Sequence, residues 1–186
     1  MLITLLLHKL KRLRKCVHGI DLGMNNYSQH YKESIIVPAT TKDVFAFADN
    51  HTNFSAHMNK SSWIMGGGRM NIETDEGKGG KVGSHIKMQG KVFGLNLFLD
   101  EVVTKHAPPY YKEWQTVGDI NLLVIDHYKL GFEIKPEAEH SNLTVYIDYN
   151  LPKSFLTKLL GCLFGRVYAK WCVKQMINEV EAHFKT

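Results

Sequence analysis

The chain has little cysteine. Three among 186 residues, Cys16, Cys162 and Cys172, cannot build a disulfide framework. Cys162 and Cys172 fall in a segment that reads as one helix, where a rise of about 1.5 Å per residue sets them about 15 Å apart. That usage implies a reducing compartment, the cytoplasm. The ten histidines are scattered, with no HExxH and no Cys/His pair at ligand spacing, so neither a metal site nor a cofactor is expected. Long hydrophobic runs are missing too. The opening "MLITLLL" is too short for a bilayer, which takes about 20 residues. Its charges follow the apolar run, the reverse of a secretory signal.

The body of the chain also lacks charge of one sign. Of the formal net charge of +5, residues 1–23 hold +4, from Lys9, Lys11, Arg12, Arg14 and Lys15 against Asp21. Residues 24–186 keep only +1. Nucleic-acid binding calls for a basic face on the folded body, so nucleic acid is not an expected partner. Wound as a helix, the basic segment places Ile3, Leu6, Leu7, Leu10, Leu13 and Val17 on one stripe, with Lys11, Arg12 and Lys15 off it. This is the pattern of an interfacial helix and would allow peripheral membrane contact through residues 1–20. Packing on the domain, or a translation start at Met24 that leaves the segment without a role, stays open.

The length suits one domain, taken as residues 24–186. "ESIIVPAT" is a β-type run stopped by Pro38, and Thr40 with Asp43 makes a helix start. One or two short helices follow, burying Val44, Phe45, Phe47 and Phe54. Beyond Trp63, about six strand-like segments are separated by glycines and turns. The longest reads with Val124, Asp126, Tyr128, Leu130, Phe132 and Ile134 on one face, and the last with Leu143, Val145, Ile147 and Tyr149. Pro152 and Ser154 open a long helix running to about Phe184. "EGKGGKVGS" lacks a GK[ST] ending and feeds a strand, so it reads as a turn, not a phosphate loop. The expected class is α+β, a curved antiparallel sheet with a long C-terminal helix laid across it.

With that order in view, the chain resembles the SRPBCC superfamily of START and Bet v 1-like helix-grip domains, and within it the polyketide cyclase/dehydrase-like group. The resemblance runs from about Tyr31 to Phe184. It rests on "IIVPATTKDVFAFADNHTNF", the tryptophan of "SSWIM", "GGKVGS", the paired prolines of "EVVTKHAPPYY" and the closing helix. It implies a sheet wrapped around the helix, two short helices after the first strand, and a cavity for an apolar small molecule such as a lipid, quinone or polyketide. Some relatives are enzymes and many bind or carry.

Candidate ligand-binding residues are Met88, Trp114, Asp126 and Tyr128, with Gly161, Gly165 and Ala169 on the helix. The last three leave space for either a guest or a closely approaching sheet. Asp126 is the odd member of an apolar row, and with Tyr128 it is the candidate acid/base pair. The helix also carries a second apolar stripe, Leu156, Leu160, Phe164, Val167 and Trp171, the pattern of a contact surface. Its partner is left open among residues 1–20, a second subunit in a homodimer, and a membrane; inverted faces would instead put this stripe in the cavity. Three functions are compatible: a carrier of an apolar molecule, a polyketide cyclase or dehydratase, and an interaction module without ligand.

Overall fold

The structure, a computed structural model, describes residues 27–54, 69–92 and 94–185. The basic segment 1–23 and Trp63 lie outside the described residues. Seven strands form one antiparallel sheet: β1 (Gln29–Val37), β2 (Arg69–Thr74), β3 (His85–Val92), β4 (Leu95–Ala107), β5 (Tyr111–Asn121), β6 (Tyr128–Glu137) and β7 (His140–Tyr149). Their order is β1-β7-β6-β5-β4-β3-β2. β1 and β2 are thus neighbours in sequence and opposite edges in space, and the chain between them carries α1 (Thr41–Asp49) and α2 (His51–Phe54). α1 starts as the sequence signals: the Thr40 hydroxyl oxygen accepts from the Asp43 backbone N–H at 3.3 Å. The helix-grip α+β architecture is the one expected.

Period-two alternation decides which side chains enter the core. β4 buries Leu97, Leu99, Glu101 and Val103. β6 buries Tyr128, Leu130, Phe132 and Ile134, and β7 Leu143, Val145, Ile147 and Tyr149. "DEGKGGKVG" is a turn organised by Asp75, which accepts from the Ser84 hydroxyl at 2.5 Å and the Gly77 and His85 N–H groups at 2.9 and 2.8 Å. The Ser84 bond leads in holding its carboxyl below the usual carboxylate range.

The row running through Val124 and Asp126 needs correction. β6 begins only at Tyr128, and residues 122–127 bend across the end of the sheet. There the Asp126 N–H donates to the Asn150 carbonyl at 2.8 Å, and the Asn150 N–H to the His127 carbonyl at 3.0 Å. A bend has no period of two, so Ile125, not Asp126, is the buried residue.

The C-terminal helix runs as α3 (Phe155–Leu160), a π-helical turn (Gly161–Gly165) and α4 (Arg166–Phe184). Gly161, Gly165 and Ala169 recur every four residues. An α-helix turns about 100° per residue, so a four-residue repeat drifts by about 40° each step. The wider i→i+5 turn takes back part of that drift and keeps the small residues facing the sheet. They seat the helix. A Cβ at Gly161 would lie 2.7 Å from Pro152 Cδ and 2.9 Å from the Val124 carbonyl oxygen. One at Gly165 would lie 2.9 Å from the same oxygen and 3.3 Å from Leu151 Cδ2.

Gly165→Ala therefore tests the seat. Alanine gains up to about 1 kcal/mol of helix propensity, but pushing backbone off backbone costs about 1–3 kcal/mol. A net loss is expected, seen as a Tm lowered by a few degrees in thermal unfolding; an unchanged or raised Tm would mean that the helix is not closely seated there.

Candidate functional site

Between the sheet and α4 lies an apolar cavity with one carboxyl group in it. Met88, Leu99, Trp114, Leu130 and Ile147 line it from the sheet, Leu122 and Ile125 from the bend, and Tyr168, Cys172 and Met176 from α4. His51 of α2, Glu101 of β4 and Tyr128 of β6 supply its polar atoms. Glu101 is 1% exposed. The Tyr128 hydroxyl donates to Glu101 Oε1 at 2.5 Å. Among the described residues Glu101 Oε2 has no hydrogen-bond partner, and His51 Nε2 stands 3.9 Å from it.

Burial pushes the Glu101 carboxyl up to about 7, against the pull of the Tyr128 hydrogen bond. Burial also raises the Tyr128 hydroxyl well above its ordinary value, and the charge of Glu101 adds to this. The Cys172 thiol is pushed up to about 12 by burial, so it stays protonated and acts as wall. The acid is thus the group that changes state near neutrality. Protonated, Oε2 can donate to a guest carbonyl; ionised, it can accept from a guest hydroxyl.

The end of α1, from which α2 continues, is held in place by a tie that the sequence reading missed. Lys112 of β5 is 1% exposed, and its Nζ donates to Asp49 Oδ1 at 2.7 Å and to the Asp49 carbonyl at 2.8 Å. His106 Nε2 lies 3.0 Å from the same carboxylate. Phe54 and Trp114 meet edge to face at 6.2 Å, and Trp114 and His51 at 5.8 Å.

Of the residues singled out from sequence, Met88, Trp114 and Tyr128 line the cavity. Asp126 does not: it lies in the bend with its carboxylate 3.0 Å from His127 Nδ1. Gly161, Gly165 and Ala169 lie in the seat and not in the lining. Leu156, Leu160, Phe164 and Val167 are exposed on the far side of the helix, so its faces are not inverted. Trp171 parts from that stripe. It is half-buried and packs on the core, its ring 6.0 Å from that of Tyr168. Glu101 and His51 were not singled out, although Glu101 sits in the apolar row Leu97, Leu99, Val103. Among the described residues no group of three His, Cys, Asp or Glu side chains could hold a metal ion, and no helix is long and apolar enough to cross a membrane.

Solved structures share this fold. The Zhui aromatase/cyclase from Streptomyces sp. R1128 superposes with a TM-score of 0.59 at 12% identity, over 84% of this chain and 93% of that one. The chain has the Bet v 1-like helix-grip fold. The protein TTHA0849 from Thermus thermophilus gives a TM-score of 0.59 at 12% identity, over 83% of this chain and 95% of that one. Ara h 8.0201 gives 0.55 at 12% identity, over 84% and 97%. No protein-family model and no curated protein matches the chain. Within the helix-grip fold, the space left open to the centre of a water-sized sphere is about 30 Å³. That is room for a water or two, whereas pockets for drug-sized guests run to about 300–1,000 Å³. A guest therefore has to push the walls apart.

The raised pKa of Glu101 is also a statement about stability. The folded state holds its proton up to about pH 7, while the ordinary value is 4.5. The resulting stabilisation is full below pH 4.5 and is lost as pH rises through 7. Glu101→Gln removes the titration. The variant is expected to gain on the wild type as pH rises, by about 3 kcal/mol at pH 8 from a shift of this size. Urea unfolding of both proteins at pH 4.5 and pH 8 measures the difference; a pH-independent difference would place the carboxyl's titration elsewhere.

Proposed function

We propose that the protein binds and carries an apolar small molecule bearing one polar group, with that group held by Glu101. The observation that carries the reading is Glu101 Oε2, a buried oxygen without a hydrogen-bond partner among the described residues, in a cavity lined mostly by apolar side chains. Leaving such a group unsatisfied costs about 1–3 kcal/mol, and a guest that supplies the missing bond recovers it. Met88 and Met176 on facing walls suit a guest of irregular shape, because thioether chains repack at small cost. The likeness to an aromatase/cyclase supports a flat or cyclic lipid-like guest. Cytoplasmic location is part of the proposal and rests on the missing disulfide framework.

A second reading has its own observation. An acid pushed up to about 7 and hydrogen-bonded to a tyrosine is suited to proton transfer at neutral pH. On that reading the protein is a cyclase or dehydratase, and the acid/base role expected of Asp126 and Tyr128 passes to Glu101 with Tyr128.

Native mass spectrometry of the purified full-length protein, against the same sample denatured, separates the readings. A carrier shows an extra mass that is released on denaturation. Glu101→Leu then lowers its occupancy about tenfold, the effect of losing one hydrogen bond to a carboxyl group. In an enzyme, Glu101→Gln keeps the guest but arrests its conversion, so the two proteins carry different masses. A filled interior with no guest at any protein concentration would overturn both.

A further inference from the structure

The C-terminal helix has an outer face for which the cavity gives no use. Phe155 is 83% exposed, Leu156 73% and Phe164 51%, and Leu159, Leu160, Leu163 and Val167 stand exposed beside them. These residues form two columns with a four-residue repeat, kept in line by the π-helical turn that aligns the glycine seat on the opposite side. A third column borders them: Lys158, Arg166, Lys170 and Lys174, also at multiples of four. Lys174 lies 3.7 Å from Glu33, so the outward charge rests on the other three. Between Tyr149 and Asn178 the sequence holds five basic residues, Lys153 included, and no Asp or Glu. An apolar face edged by cations alone is the pattern of a helix lying in a lipid headgroup layer.

Charge sorts the occupants. A second copy docking by the same face would set basic column against basic column. The segment 1–23, at +4, is likewise of the wrong sign to cover it. A surface of opposite charge satisfies both the columns and the segment.

We propose that this face of α3 and the start of α4 docks on an anionic lipid surface. Docking there brings the bend to within one helix diameter, about 10 Å, of the membrane, because the Val124 carbonyl lies under Gly161 and Gly165 on the other side of the helix. Leu122 and Ile125 of the same bend line the cavity. Joined to the carrier reading, on which this last step rests, the surface brings the cavity wall within a helix's width of the phase that holds apolar molecules. The docking itself does not depend on that reading.

Co-sedimentation of the full chain with vesicles of phosphatidylcholine alone, and with equal parts phosphatidylglycerol, tests the proposal. Binding is expected to the anionic vesicles and to fall steeply in molar salt. The triple variant Phe155→Ser, Leu156→Ser, Phe164→Ser is expected to bind them about tenfold more weakly, since insertion scales with apolar area. Its Tm should match the wild type, because the three side chains are exposed. Glu101→Leu serves as the control: vesicle binding is retained although guest occupancy falls, so failure of the carrier reading and failure of docking are read separately. Three results would overturn the docking: no binding by the wild type, equal binding by the triple variant, or a wild-type dimer in sedimentation velocity that the triple variant turns into monomer. The second would move the contact to another part of the chain, and the third would make the face an interface between copies.

Discussion

The contact on which the rest depends is the descent of two glycines onto the Val124 carbonyl. With Gly161 and Gly165 in the seat, the helix axis comes closer to the sheet end than any side chain would allow. That fixes the rotation of everything after it. Ala169, Cys172, Val173, Met176 and Val180 face the sheet, and Tyr168, Cys172 and Met176 close the cavity. The same rotation sends Leu156, Leu160, Phe164 and Val167 outwards. A helix of this composition has more apolar surface than one core can take up, and the seat decides which part is left over.

A second constraint opposes the first. Close packing favours a core without polar atoms, yet Glu101 stands within it at 1% exposure. Desolvation is met halfway by protonation and by one strong hydrogen bond from Tyr128, leaving the second oxygen as the point where the interior is chemically incomplete. Replacing the acid with an apolar residue of similar volume would make a better core. Its presence is therefore a reason to read the space as a site.

Much of this was legible in the sequence, and the lapses have physical causes. The succession of elements along the chain, the Thr40 cap, the turn around Asp75 and the start of the long helix follow from local signals that tertiary contacts did not override. Small residues every four positions marked one face of that helix, but whether it met the sheet or a guest, and which face turned inwards, was decided by the contacts of Gly161 and Gly165 with the Val124 carbonyl. Asp126 misled because alternation was carried across a bend, where no period of two applies. Glu101 and Lys112 were missed for the converse reason. Both lie in rows that the alternation rule sends inwards, Glu101 between Leu99 and Val103 and Lys112 beside Trp114. The rule applied to Asp126, an odd polar member in an apolar row, would have flagged them. What no single sequence could show is pairing across 63 positions, as between Asp49 and Lys112.

That pairing decides which wall of the cavity can yield to a guest. On the sheet side, Lys112 and His106 hold the end of α1 through one carboxylate, and removing a partner from such a buried pair leaves a charge that the interior cannot solvate. Phe45, Phe54, Trp114 and Phe132 extend the clamp with edge-to-face contacts of 5.4–6.4 Å. None of these groups can shift without breaking several contacts together. The opposite wall is softer. Met176 has an unbranched side chain, and the backbone of residues 122–127 is held by the pairing of Asp126 and His127 with Asn150. Expansion from a volume of one or two waters to that of a guest must come from there. The part of the wall that yields is then the bend beneath the helix seat, across the helix from the outward apolar face, and the carboxyl group that receives the guest stays on the rigid side.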